Sequence, residues 1–283
     1  MPKADHLLKQ ARRDLADVET PTLDARLLLQ HVTGLTHEAL IAEPQTQISD
    51  ESAKQFEALV ERRKRHEPIS RILKLREFYG RDFIVTPEVL DPRPDTEVLI
   101  ETALARLPQD KPSSLLDLGT GSGIIAITLL AERPRAEGVA VDLSDPAIEV
   151  ARQNAKAHKV DNRLHFITAS WFNTVTGRFD AILSNPPYIE AAVIPTLEEE
   201  VRNFDPHLAL IGGADGLECY RAIASAALNH LNPNGFVAVE IGVGQENHIA
   251  SIFAANHLYI TSKHRDLGGH IRCLVFRAGP KTL

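Results

Sequence analysis

Four consecutive residues, Asn185-Pro186-Pro187-Tyr188, join two hydrogen-bond acceptors to a stiff turn and an aromatic face. Each proline fixes its own φ and restricts the residue before it. The Asn185 side-chain carbonyl and the Pro186 backbone carbonyl can therefore converge on one point. An NH2 group offers two donors to such a pair. With both N–H bonds held, the third direction of the nitrogen points at whatever lies opposite, as in-line displacement requires. The same acceptors stabilise positive charge as it develops on the nitrogen, and Tyr188 can pack flat against a planar amide or base. Asn-Pro and Pro-Pro are also common loop formers. Here they follow directly on the apolar run Phe179–Leu183, where a strand end opens onto a ligand crevice. By itself the tetrad selects a planar NH2 and does not choose between glutamine and adenine.

A second constellation is Leu116-Asp117-Leu118-Gly119-Thr120-Gly121-Ser122-Gly123, at a strand-to-helix junction. Glycines there let the backbone turn sharply and approach a ligand closely. The dinucleotide fingerprint G-x-G-x-x-G needs glycine at position 124, which is isoleucine, so a dehydrogenase reading fails. The loop suits a nucleoside lacking a pyrophosphate, and S-adenosylmethionine is the reading that joins it to a nitrogen acceptor. Asp142 follows at the tip of the next strand, where its carboxylate can accept from two ribose hydroxyls. Its alternative role, capping the next helix, is already covered by Ser144 and Asp145. A ribose contact alone does not separate adenosylmethionine from NAD.

The elements that must position these residues are legible as short apolar strands alternating with amphipathic helices. Strands are expected at Ser114–Leu118, Gly138–Asp142, Leu164–Thr168, Asp180–Ser184 and Phe236–Ile241, with helices near 122–132, 145–158 and 215–230. Strands apolar on both faces and joined by helix-length crossovers predict a doubly wound parallel sheet. After Gly244 come a helix and two strands, near 257–262 and 271–276, with Asp266–Gly269 as the turn of an antiparallel edge hairpin. Ahead of this α/β region, Phe78–Val85 alternates around Gly80 as a β-hairpin, and Asp91-Pro92-Arg93-Pro94-Asp95 holds the chain extended. Thr96 or Asp95 can cap the helix carrying Val98, Leu99, Ala103 and Leu107. The first seventy or so residues form a small helical bundle, with Leu7, Leu8, Ala11 and Leu15 on one face and Leu23, Leu27, Leu28 and Val32 on another. A further helix starts at the Ser49/Asp50 cap.

Composition excludes some classes. The 283 residues are 43% hydrophobic and 24% charged, which suits an ordinary globular protein, with length for one large domain or for one of ordinary size plus a small companion. A net charge of −7 argues against stable, sequence-independent binding to nucleic acid. The one dense basic run, Arg62-Arg63-Lys64-Arg65, reads as a solvated helix end. Cys219 and Cys273 are isolated, with no metal-type spacing, and read as buried free thiols. With no membrane-length apolar run and no signal-peptide pattern at Met1–Leu15, a cytoplasmic location is expected.

The order of the glycine loop, Val141-Asp142-Leu143-Ser144 and Asn185–Tyr188 resembles the class I amino-methyltransferases over about residues 114–276. Pro68-Ile69, Arg76-Glu77-Phe78-Tyr79, Pro92-Arg93-Pro94-Asp95-Thr96-Glu97, Trp171-Phe172 and Gly212-Gly213-x-Asp215-Gly216-Leu217 resemble, over nearly the whole chain, the peptide chain release factor glutamine methyltransferases (the PrmC/HemK family). That resemblance implies a class I methyltransferase Rossmann-like sheet over 96–283, a hairpin linker over 76–95, and a helical substrate-docking domain over 1–75. It implies N5-methylation of the glutamine in the Gly-Gly-Gln motif of class 1 release factors, with S-adenosyl-L-methionine as donor and S-adenosyl-L-homocysteine as product. Gly119, Thr120, Gly121, Ser122, Gly123, Asp142, Trp171 and Asn185 would bind the cofactor, with Trp171 beside the adenine. Asn185, Pro186, Pro187 and Tyr188 would hold the substrate glutamine, and Asn185, Pro186 and Tyr188 would carry the reaction in a monomer without metal or covalent intermediate. Ser170 departs from the family's usual Asp, which predicts an altered contact near the adenine. The segment Asp266–Arg272 also resembles the family's ending, with His270 in a variable place. The rival substrates are glutamine on a ribosomal protein and the exocyclic amine of adenine, the latter using a related tetrad on a flipped base.

Overall fold

The computed structural model describes residues 1–279, which fall into two compact units: residues 1–75 with 198–204, and residues 76–197 with 205–279.

The first unit is built from helices α1 (Ala4–Asp14), α2 (Pro21–Thr33), α3 (His37–Ala42), α4 (Asp50–Lys64) and α5 (Ile69–Leu73). Leu7, Ala11 and Leu15 meet Leu28, Leu29, Phe56, Val60 and Ile72 in one core. The expected boundaries have clear causes. Pro21 sits in the first turn of α2, Gly34 closes it with φ of 70°, and the Ser49 hydroxyl accepts from Ser52 N at 3.0 Å to start α4. The short helices α3 and α5 were not predicted, because five or six residues carry too little periodicity. One expectation holds only in part. Within the basic run Lys64 and Arg65 are exposed, but Arg63 is 4% exposed and pairs with Asp24 and with Glu200, both at 2.6 Å. Arg62 binds Glu67. Glu200 lies in the segment 198–204, which belongs to this unit although the flanking chain does not.

From Arg76 the second unit opens in a hairpin of β1 (Leu75–Phe78, its first residue the last of the preceding unit) and β2 (Arg81–Ile84). Its turn residues Tyr79 and Gly80 both have positive φ, the conformation that matches the strands' twist. The extended stretch ends earlier than expected: Arg93 is extended, but Pro94–Thr96 form a 3-10 turn that runs into α6 (Glu97–Leu104). Neither Asp95 nor Thr96 caps α6. Their side chains are used elsewhere.

A seven-stranded sheet follows, made of β3 (Ser113–Leu118), β4 (Ala136–Asp142), β5 (Leu164–Thr168), β6 (Phe179–Ser184), β7 (Leu231–Glu240), β8 (Leu258–Arg265) and β9 (Ile271–Ala278), in the order β5-β4-β3-β6-β7-β9-β8. The first five are parallel neighbours, while β9 runs antiparallel to β7 and β8. The crossovers carry α7 (Ile124–Glu132), α8 (Asp145–Ala157), α9 (Glu199–Phe204, part of the first unit), α10 (Glu218–Ala227) and α11 (Glu246–Ala254). Alternation sends Leu115, Leu183 and Ala238 to one apolar core and Leu116, Ile182, Val237 and Val239 to the other. The sheet is therefore covered on both faces, as its apolar strands predict. β7 begins five residues ahead of the expected Phe236, at Leu231, where Pro233, Asn234 and Gly235 interrupt the apolar pattern. Among the described residues, no helix is long and apolar enough to cross a membrane.

Candidate active site

Register places the chemistry. Leu118 is level with Val141 on one side and Ser184 on the other, and Ser184 is level with Val239. One residue further, Gly119, Asp142, Asn185 and Glu240 emerge side by side from the carboxyl ends of β3, β4, β6 and β7. The strand order reverses between β3 and β6, so a crevice must open there. It does: a cavity of about 360 Å³ is lined by Gly119, Gly121, Asp142, Trp171, Asn185 and Pro187, with Leu143, Leu208 and Ile211 adding apolar wall.

The glycine loop is held by β4. Gly119 N and Thr120 N both donate to the Val141 carbonyl, at 2.8 and 3.0 Å. Gly121 N donates to Asp142 Oδ2 at 2.8 Å, and Ser144 N donates to Oδ1 at 2.9 Å. A carboxylate has about four acceptor sites, so these donors leave Asp142 with capacity for a ligand hydroxyl. Burial pushes the Asp142 carboxyl above its ordinary range, against these backbone donors. Ser144 caps α8 by accepting from Ala147 N, which frees Asp142 from that task. Thr120, Ser122 and Gly123 serve the turn and are absent from the cavity wall. Thr120 Oγ1 donates to Asp117 Oδ2 at 2.6 Å, and the Ser122 carbonyl accepts from Asn154 Nδ2 at 2.8 Å. Gly123 has φ of 85° and passes Ile127 so closely that a Cβ would lie 2.6 Å from its Cδ1. Asp117, beneath the loop, is fully buried, and burial pushes its carboxyl up to about 7. On the far wall Trp171 takes φ of 49°, a left-handed conformation rare for an aromatic residue, and Ser170 lines the cavity beside it.

The tetrad is braced from behind. Ile189 N donates to Leu210 O, and Gly212 N donates to Ile189 O, clamping the strand end to the Gly212–Gly216 segment. A Cβ on Gly212 would lie 2.7 Å from Pro187 O, and one on Gly216 would lie 2.5 Å from Tyr188 O. That close approach explains the glycines of the Gly212–Leu217 motif. Gln245 Nε2 donates to Tyr188 O at 3.1 Å while its Oε1 accepts from Gly242 N. Pro186 and Tyr188 are not among the lining residues. Tyr188 packs against the apolar core on the α10 side of the sheet, and burial pushes its hydroxyl up to about 12.

The Pro92–Glu97 motif supplies a second brace. Arg93 pairs with Asp205 at 2.6 Å and Asp95 with Arg272 at 2.9 Å, while Thr96 Oγ1 accepts from Asn185 Nδ2 at 3.1 Å. Sequence reasoning missed Glu240. It is 1% exposed, its carboxyl lies near Thr96 and Asn185 with Oε2 lacking a hydrogen-bond partner, and burial pushes that carboxyl up to about 7. A lone carboxylate at the tip of the apolar strand Phe236–Glu240 was the available signal. Cys219 lines the cavity and Cys273 is buried, and burial pushes their thiols up to about 11 and 12, which leaves both as thiols at neutral pH.

This sheet order, with a glycine loop and an acidic tip at the switch point, defines the class I methyltransferase architecture. A methyltransferase from Pyrococcus furiosus shares that fold at a TM-score of 0.53 and 19% identity, covering 72% of this chain and 91% of that one. Residues 6–73 match the family model of the PrmC N-terminal domain, and residues 94–201 match that of the Methyltransferase small domain. The release factor glutamine methyltransferase of Agrobacterium fabrum is 42% identical over 97% of this chain and 96% of its own. That of Cereibacter sphaeroides is 45% identical over 93% of each. The chain belongs to the release factor glutamine methyltransferase family.

Proposed function

We propose that this protein methylates the side-chain amide nitrogen of the glutamine in the Gly-Gly-Gln motif of class 1 release factors. Bound S-adenosylmethionine supplies an electrophilic methyl group on a sulfonium. A crevice with glycines on one rim and the Asp142 carboxylate at its edge suits its nucleoside and amino-acid parts. The observation that carries the reading is Asn185, which lines this cavity while its Nδ2 is turned to Thr96.

Amide nitrogen is a poor nucleophile because its lone pair is delocalised into the carbonyl. Asn185 Oδ1 and the Pro186 carbonyl accept its two N–H bonds, which orients the nitrogen and stabilises the charge it gains. One of those protons is then lost to solvent, giving N-methylglutamine. Trp171 flanks the nucleoside, and Tyr188 stiffens the loop from behind. Residues 1–75 dock the release factor, residues 76–95 link, residues 96–283 carry the transfer, and the protein works as a cytoplasmic monomer.

The test is incubation with labelled S-adenosylmethionine and a release factor, beside the same factor with its Gly-Gly-Gln glutamine changed to alanine. Label on the first alone is expected. Label on nucleic acid or on a ribosomal protein overturns the substrate and keeps the chemistry.

A further inference from the structure

In the first unit, α1, α2 and α3 enclose a cup of about 230 Å³ whose apolar wall is Leu8, Ala25 and Leu40. Its charge is one-sided. Lys9 and Arg12 come from α1, Arg26 from α2 and His37 from the start of α3, and no acidic side chain lines it. We infer that this cup receives a carboxylate side chain of the protein substrate, with Arg26 Nε–H and His37 Nδ1–H as its donors.

The inference rests on the docking role proposed for residues 1–75 and on the hydrogen bonds of two side chains. Arg26 Nη1 donates to His37 Nε2 at 3.4 Å. A guanidinium only donates, so Nε2 accepts and the ring hydrogen lies on Nδ1. Arg26 Nε and His37 Nδ1 are both buried atoms, and neither has a hydrogen-bond partner. Two N–H donors are thus withdrawn from solvent with nothing to receive them, and a buried donor left unmade costs its full desolvation. Neither can serve the other, since neither accepts. A carboxylate, with two oxygens and about four acceptor sites, has capacity for both.

The chemistry of the cup selects its occupant. With Nη1 turned to His37, the Nε–Nη2 edge of Arg26 remains, and that edge meets a carboxylate through two parallel bonds. The surrounding charge also favours an anion. Arg12 is exposed and makes no salt bridge among the described residues, and Lys9 is offset only by Asp5, at 3.5 Å. Asp24, the acidic residue nearest to Arg26 in sequence, is committed to Arg63 and Thr20. The apolar wall, continued by the exposed Ile41, can cover the methylenes of an acidic side chain and an apolar neighbour, from which a free hydrated ion gains nothing. The occupant is therefore an aspartate or glutamate on a protein, and the protein this unit is proposed to dock is the release factor.

The experiment uses the full chain, with release-factor binding and cofactor binding followed by calorimetry and methyl transfer by label from S-adenosylmethionine. Arg26→Gln removes the guanidinium edge, and Arg12→Glu sets a like charge beside the cup at an exposed position where folding is not at risk. Each should weaken release-factor binding and raise its KM roughly tenfold, with kcat at saturating factor and cofactor affinity unchanged. Added salt should weaken binding of the factor to the wild type more steeply than to Arg26→Gln. The inference is overturned if both variants bind the factor as tightly as the wild type, or if salt acts on wild type and Arg26→Gln alike. It is also overturned if factor binding is unchanged while inorganic phosphate binds the wild type and not Arg26→Gln, which makes the occupant a free anion. The two levels separate cleanly. If the wild type binds the factor, the variants bind it weakly and no label is transferred, the proposed reaction is wrong and the cup stands. If labelling is normal and the variants bind like the wild type, only the cup is wrong, and if the wild type neither binds nor labels the factor, both fall.

Discussion

The rim of the crevice made by Gly119–Gly123 and Asp142 is tied together by shorter-range bonds, Gly121 N to Asp142 across 21 residues and Asn154 Nδ2 to the Ser122 carbonyl across 32. The opposite rim, Asn185–Tyr188, is tied by side chains from far along the chain: Thr96 at 89 residues and Gln245 at 57. The first rim is a backbone device whose parts travel together. The second is assembled only when the whole sheet is in register. Damage to the first should therefore appear in cofactor affinity, and damage to the second in turnover.

The sharpest way to break this contrast is Asn185→Ala. It should lower kcat by about three orders of magnitude, as loss of a transition-state acceptor does, with cofactor affinity little changed. Equal loss in both quantities would merge the two rims. Next comes Gly212→Val, whose side chain must displace the Pro187 carbonyl lying 2.7 Å from the Cβ position. A shift of the tetrad by about 1 Å should cost about 100-fold in kcat, again with cofactor binding retained in calorimetry. On the other rim, Asp142→Asn keeps the shape and removes a charged acceptor. It should weaken cofactor binding roughly tenfold or more, while kcat at saturating cofactor stays close to wild type. The smallest effect concerns Asp117, whose carboxyl stands at about 7 in the fold against an ordinary value of 3.8. The folded protein then holds a proton that the unfolded chain has lost, so Asp117 makes stability fall as pH rises from about 4 to about 7. Thermal midpoints across that range should decline less steeply in Asp117→Asn.

What could be read in the chain follows the same division. Contiguous signals placed the glycine loop, Asp142 and the tetrad at strand tips, and placed the starts of α2 and α4 through Pro21 and Ser49. Thr96 was read as a helix cap because capping is what a threonine before an apolar helix can do locally. In the fold its oxygen is taken by Asn185, and α6 starts without a side-chain cap. Arg63 was read as solvated for the same reason: its carboxylate partners, Asp24 and Glu200, lie 39 and 137 residues away. Glu240 belongs with them, since a buried carboxylate is intelligible only once its neighbours from other strands are known. Long-range partners escape a reading by local pattern even when each residue type is suggestive.

The Arg63–Glu200 pair also carries a consequence for how the protein is made. A ribosome releases Asp24 and Arg63 early, so helices α1–α5 can gather around that ion pair while the rest is still being translated. Glu200 follows 137 residues later, which at ordinary elongation rates is on the order of ten seconds. Through that interval the nascent bundle holds one guanidinium edge without its final carboxylate. The bundle is completed from downstream, by a segment that arrives after the catalytic tetrad has already been synthesised.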